Sequence, residues 1–250
     1  RHLGNAALRP LWFTQVINTA ITATMVGAPY RHFSEVGGAA LRMVAERNDV
    51  PLTEEALIEI PGRMLSPPPH PDVPAGLQRL KDAGFQTVAL TNSPLAAARA
   101  QLEAGGLIDM FDRVMSVESV GVFKPDARVY QMAARELGVE TSDLLMVAAH
   151  DWDIAGAMAA GCGGAFIARP GQVTNPYFDT PDFVARDIGD AAEQLIASER
   201  YKAPSKRTKP IEHKSRDNSI QNNPPLGARA YMEPPEAIMP PSTSSVSPFT

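Results

Sequence analysis

FQTVALTNSP, residues 85–94, opens a stretch running to Pro170 that decides the fold. An apolar, β-rich run stops there at Thr91-Asn92-Ser93-Pro94, ahead of an Ala-rich segment with helical character. The same grammar returns at VFKPD, residues 122–126, where Lys124 is held against Pro125 before ARVYQMAARELG. It returns again at LLMVAAHDWD, residues 144–153, which runs into the small-residue segment IAGAMAAG. Strands alternating with helices of about ten residues predict βαβ crossovers and a parallel sheet. In an open parallel sheet, ligands bind outside the carboxyl ends of the strands. Thr91, Lys124 and Asp153 are therefore expected at one edge.

Outward from this stretch, the helix DVPAGLQRLKDA precedes the first strand and ends at Gly84, a left-handed terminator. Between the three units the pattern predicts helix 94–104, a short strand at 113–116, helix 127–137 ending at Gly138, and strand 144–149. Helix 153–160 and strand 164–168 follow, then a short strand in DFVARDI and a closing helix in AAEQLIASE. Upstream, three helices occur with no strand between them. The first is LRPLWFTQVINTAITATMVG, with Leu11, Trp12, Val16, Ile17 and Ile21 near a 3.6-residue period. The second, HFSEVGGAALRMVAERN, carries Phe33, Val36, Ala40, Val44 and Ala45 on one side. The third, TEEALIEIPGRM, starts at a Thr53 cap and stops in the prolines near residue 69. The expected division is a helical cap at 1–68, an α/β core at 69–198, and a tail at 199–250 too rich in Pro, Ser and charge to order itself.

The chain has 250 residues, 44% hydrophobic with 6% aromatic, enough for an Ala/Val/Leu core over most of its length. A net charge of -5 and a pI near 5.6 give no basic stripe, so nucleic acid is not expected as a partner. No apolar run approaches the roughly 18 to 20 residues that span a bilayer, and the opening residues lack a signal-like core. A cytoplasmic protein with no membrane partner is expected. The single cysteine, Cys162, excludes an intramolecular disulfide and reads as a small buried hydrophobe.

Each candidate site residue has two readings. Thr91 and Asn92 offer a hydroxyl and an amide to an anion, beside the N–H groups of the next helix, yet the same pair caps helices. Lys124 at the mouth of a sheet can hold a carboxylate, although most lysines are solvated. Tyr130, a turn into the following helix, either reaches the same cleft or packs. Asp153 is a site carboxylate or a cap, and His150 a neutral hydrogen-bond partner or a loop residue. A metal site needs converging carboxylates, which neighbours on a turning chain do not supply, so none is expected.

Together the segments LTNSP, VFKPDARVY and VAAHDWDIAGAMAAGC resemble the haloacid dehalogenase (HAD) superfamily, and within it the type II L-2-haloacid dehalogenases. The resemblance covers roughly residues 8–195 and includes the cap stretch LWFTQ…YRHFSEVGGAAL. It implies a HAD-like α/β fold, a Rossmann-like parallel-sheet core with a helical cap. It also implies hydrolysis of the carbon–halogen bond of small 2-haloacids through an aspartyl ester, with no cofactor. By the resemblance, Thr91 and Asn92 bind the substrate carboxylate and leaving halide, and Lys124 positions the nucleophilic carboxylate. Tyr130 supports the substrate side, Asp153 organises the hydrolytic water, and Trp152 lines the halide pocket. The family's dimers extend to this chain the expectation of a homodimer through the exposed faces of the cap helices.

The sequence departs from the family pattern at four places. No Asp-x-x-Gly-Thr segment, the family's nucleophile motif, occurs in it, which leads us to expect an N-terminally incomplete copy lacking the first strand and, alone, lacking turnover. Phe13 stands where a halide-binding arginine is common. His150 replaces an asparagine and Ala148 a serine. The tail has no family counterpart. The alternatives are a HAD-type phosphatase, disfavoured because Ala149 stands at the position of its metal-binding aspartate, and a non-catalytic small-anion binder.

Overall fold

The computed structural model describes residues 8–53 and 68–201. It begins with two helices, α1 (Leu8–Met25) and α2 (Phe33–Arg47), packed on each other. Leu8, Trp12, Val16, Ile17 and Ala20 of α1 are buried, as are Phe33, Val36, Ala40, Leu41 and Val44 of α2. The Trp12 indole N–H donates to the Gly37 carbonyl at 2.9 Å, so the largest ring of the seam also spends its one polar atom there. Leu11, expected on the buried stripe, is instead 53% exposed. The i, i+4 row through Leu8, Trp12 and Val16 is the one facing α2, and Leu11 lies beside it. The expected third helix, like the sequence beyond residue 201, lies outside the described residues.

Helix α3 (Val73–Asp82) leads into β1 (Val88–Thr91), α4 (Leu95–Ala104), β2 (Arg113–Ser116) and α5 (Ala127–Leu137). Then come β3 (Leu145–Ala148), α6 (Asp151–Ala159), β4 (Gly163–Ile167), β5 (Phe183–Ala185) and α7 (Ile188–Ala197). Every strand pair is parallel: β1 with β2, β3 with β4, and β4 with β5. They form two sheets, β1-β2 and β3-β4-β5; β1 and β3 are not bonded to each other. The registers bring Thr91 level with Ser116, Ala148 with Phe166 and Ile167 with Ala185, so within each sheet the carboxyl ends share one edge. All five residues of β4 are buried, as a parallel strand between neighbours and helices must be.

Two elements differ from the pattern in instructive ways. β1 was expected from Phe85 but starts at Val88. The Thr87 N–H donates to the Asp112 carboxylate at 2.8 Å, so it is spent on a side chain where a ladder carbonyl would have continued the strand. Helix α6 starts at Asp151, two residues early, behind an extended His150 (φ -106, ψ 124). Tyr201, placed in the tail by composition, is buried and donates its hydroxyl to Asp182 at 3.2 Å.

One buried cluster runs from α1 and α2 through Leu90, Met115, Val117 and Phe123 to Val129 and Tyr130 of α5. Each such side chain contributes roughly 1.5–3 kcal/mol when removed from water. Phe123 is the hinge of this cluster: its ring lies 5.2 Å from Tyr30 and 5.7 Å from Phe33, and its N–H donates to Thr24 Oγ1 at 3.1 Å. The neighbouring residue in sequence is Lys124, so the packing that seats α1 and α2 also seats the lysine loop. No helix among the described residues is long and apolar enough to cross a membrane.

Candidate active site

Lys124 is 1% exposed, and a buried ammonium is tolerated only when its donors are matched. Its Nζ donates to the Leu90 carbonyl at 2.8 Å and to Asp153 Oδ2 at 3.0 Å. Its backbone N–H donates to Asn92 Oδ1 at 2.9 Å. The lysine loop is thereby pinned to residues 90 and 92 of the β1 end and to the first turn of α6. An ammonium has three N–H groups; two are used here, and the third remains for an incoming acceptor.

Asp153, also 1% exposed, has both oxygens engaged. The Tyr130 hydroxyl donates to Oδ1 at 2.8 Å and to the Asp153 carbonyl at 3.1 Å. Burial, and then the Asp153 charge, push the Tyr130 hydroxyl far above its ordinary range, so it stays protonated and remains a donor. Tyr130 thus supports the carboxylate rather than reaching into open space. It comes from the first turn of α5, a helix punctuated by its sequence. Asp126 caps its start by accepting from Arg128 N–H at 3.0 Å, and Gly138 ends it at φ 70, where a Cβ would be strained.

Thr91 is buried at the end of β1, and its Oγ1 accepts from Ser93 N–H at 3.0 Å. Asn92 is fully buried through the bond to the lysine loop. Ser116, at the level end of β2, donates to the Ser93 carbonyl at 2.7 Å and so fixes the turn after β1 from the neighbouring strand. Asn92, Lys124, Asp153 and Tyr130 are therefore joined in one chain of hydrogen bonds, with Thr91 next to Asn92 in the turn after β1.

His150, Phe13 and Trp152 form a second group beside the first. The His150 ring stacks on Phe13 of α1, with centroids 5.2 Å apart, and on Trp152, at 5.4 Å. Burial lowers the His150 pKa; Asp153 and Asp151 oppose the shift and Lys124 adds to it. Cys162 is buried, which pushes its thiol up to about 11 and leaves it unreactive at neutral pH. Among the described residues no group of three or more His, Cys, Asp or Glu side chains is arranged to hold a metal ion.

Sequence reasoning missed three partners. The Leu90 carbonyl carries no mark in the sequence, because any residue offers one. Ser116 sat at a predicted strand end and had that signal alone. Arg169, just beyond β4, is buried and pairs both guanidinium N–H groups with Asp72 at 2.7 Å each, while Asp72 also accepts from Ile188 N–H. Burial opposes and these bonds more than offset the shift, holding the Asp72 carboxyl below its ordinary range. The pair clamps the starts of α3 and α7 to the end of β4.

A parallel α/β core with a buried lysine–carboxylate pair beyond its strand ends defines an open-sheet α/β protein with a candidate site at the carboxyl ends of its strands. A family model described as haloacid dehalogenase-like hydrolase matches residues 21–161, and the chain belongs to that family. The (S)-2-haloacid dehalogenase H-109 of Pseudomonas putida is 29% identical over 190 residues, 76% of this chain and 84% of that protein. The (S)-2-haloacid dehalogenase of Pseudomonas sp. (strain YL) is 32% identical over 164 residues, 66% and 71% of the two chains. The solved L-2-haloacid dehalogenase of Xanthobacter autotrophicus superposes with a TM-score of 0.70 at 23% identity, covering 76% of this chain and 86% of its own.

Proposed function

We propose that this chain binds small 2-haloacids and serves hydrolysis of their carbon–halogen bond through an aspartyl ester. The observation that carries the reading is the buried Lys124, anchored to the Leu90 carbonyl and to Asp153 with one N–H left over. Relatives named as (S)-2-haloacid dehalogenases support the substrate class. In this reading residues 1–68 act as a cap over the core at 69–198, and the exposed apolar residues Leu11, Met25 and Val26 support a homodimer.

The third Lys124 N–H receives an anionic oxygen, and the Thr91 hydroxyl donates to the substrate carboxylate; the Leu95 N–H that opens α4 is already given to Glu118 at 2.6 Å. In the first step a carboxylate oxygen bonds to the carbon bearing the halogen, and halide leaves with the bonding pair. Water then adds to the ester carbonyl carbon, and the acyl–oxygen bond breaks to release a 2-hydroxy acid and restore the carboxylate. Asp153 has both oxygens committed to Lys124 and Tyr130, so its role is to hold the ammonium and order water rather than to attack. The 250 residues contain no Asp-x-x-Gly-Thr segment.

Calorimetric titration with L-2-chloropropionate tests the reading. Saturable binding is expected, weakened about tenfold in Thr91→Val, the effect of losing one charge-assisted hydrogen bond. Absence of binding by the unaltered chain overturns it. A small-anion binder without turnover gives the same titration, and chloride release above background excludes it.

A further inference from the structure

Two consecutive backbone N–H groups hold the lysine loop from two directions. That of Phe123 donates to Thr24 Oγ1 of α1 at 3.1 Å, and that of Lys124 donates to Asn92 Oδ1, after β1, at 2.9 Å. Phe123 and Lys124 are 3% and 1% exposed, and a buried N–H that loses its acceptor has little water to turn to. Both acceptors are side chains, so each bond hangs on the identity of one residue. Main-chain ladder bonds do not.

Thr24 stands near the end of its helix. A helical threonine hydroxyl commonly turns back onto the carbonyl four residues earlier, as Thr19 of the same helix does onto Gln15 at 2.8 Å. The Thr24 oxygen reaches across to accept from a residue 99 positions on. The ring of that residue, Phe123, lies 5.2 Å from Tyr30 and 5.7 Å from Phe33, so its ring and its N–H both engage the α1–α2 part.

The lysine turns this contact into a matter of chemistry. Its Nζ is fixed by the Leu90 carbonyl at 2.8 Å and Asp153 Oδ2 at 3.0 Å, and with two of the three N–H groups placed, the bond from Nζ back to the stem sets where the third points. The four-carbon stem is flexible, so its path depends on where the main chain at 123–124 is held. We propose that Thr24 is a positioning residue for the dehalogenase chemistry: by holding the Phe123 N–H, it ties the seating of α1 on the core to the direction in which Lys124 presents its remaining N–H to the substrate. The identity of the substrate rests on the dehalogenase reading; the tie between Thr24 and Lys124 does not.

The test uses the full 250-residue chain and reads both the calorimetric titration with L-2-chloropropionate and the 1H–15N NMR signals of the Lys124 ammonium and the Phe123 amide. Thr24→Val keeps the shape and removes the acceptor. It is expected to bind about tenfold more weakly, the effect of one hydrogen bond, and to move both signals. Thr24→Ser is expected to restore affinity to within about twofold and return the signals. Thr19→Val, which alters a local bond of the same helix, is expected to leave the Lys124 signal in place. A Lys124 signal that stays put in folded Thr24→Val overturns the proposal, as do equal losses in Thr24→Val and Thr24→Ser, which would assign the effect to the methyl group. Should Thr24→Val fail to fold, hydrogen exchange of the unaltered chain decides. Saturating L-2-chloropropionate is expected to slow the Phe123 amide together with that of Lys124, and an unchanged Phe123 rate overturns the proposal. If L-2-chloropropionate does not bind the unaltered chain, the dehalogenase reading falls, and the Lys124 signal in the Thr24 variants still decides whether Thr24 places the lysine.

Discussion

At the scale of single residues, the pair Lys124–Asp153 is the feature with most at stake. Its side chains are 0% and 1% exposed, so neither charge can fall back on water. Removing one partner of such a pair typically costs about 3–5 kcal/mol, because the survivor is left buried and unmatched. Lys124→Met is expected to lose that much in urea denaturation, and Lys124→Met/Asp153→Asn to recover most of it. Additive losses in the double variant would sink the claim that the two charges act as one unit. The sequence marked Thr91, Lys124 and Asp153 as polar residues closing apolar runs, and left capping or a solvated surface open for each until their burial was seen. The aim of Tyr130 at Asp153 was not legible. Helical period places the ring on a face, but only the docking of α5 on α6 decides what that face meets.

At the scale of elements, legibility followed punctuation. Helix α5 was readable to the residue because Asp126 and Gly138 are chemical start and stop signs. β1 was not, because its start is set by Asp112, a residue 25 positions downstream of Thr87 that takes the Thr87 N–H. The approach of α6 to the lysine loop is likewise a property of two elements together. A Cβ built on Gly156 would lie 2.3 Å from Pro125 Cβ and 2.7 Å from its carbonyl oxygen, far inside any real contact. Gly156→Ala must therefore push the Lys124-Pro125 turn away from α6, at a cost of about 1–3 kcal/mol for overpacking. The displacement is expected to lengthen the Lys124–Asp153 contact. Both a lowered urea midpoint and weaker L-2-chloropropionate binding are the measurements; unchanged binding would show that the turn can move without carrying its lysine.

At the scale of the whole molecule, α1, α2 and the loop between them meet the α/β part through three aromatic contacts, Phe123 with Tyr30, Phe123 with Phe33, and His150 with Phe13. The last contact makes stability depend on pH with a sign that can be worked out. Burial lowers the folded pKa of His150 below its ordinary value, and the facing charges are Asp153 and Asp151, which oppose the shift, and Lys124, which adds to it. The unfolded imidazole titrates near about 6.5. Between that pH and the lower folded pKa, the unfolded chain binds more protons than the folded one, so stability falls as pH falls through this window and is level above it with respect to this group. Other groups titrate in the same range, so the informative quantity is the difference between two profiles. Chemical denaturation of the unaltered chain and of His150→Phe from pH 5 to 8 is expected to give curves that run parallel above about 7, with the unaltered chain losing stability relative to His150→Phe below about 6. Parallel curves throughout would mean that the imidazole between Phe13 and Trp152 gains or loses its proton as readily in the folded molecule as in water, and that the contact is not closed around it.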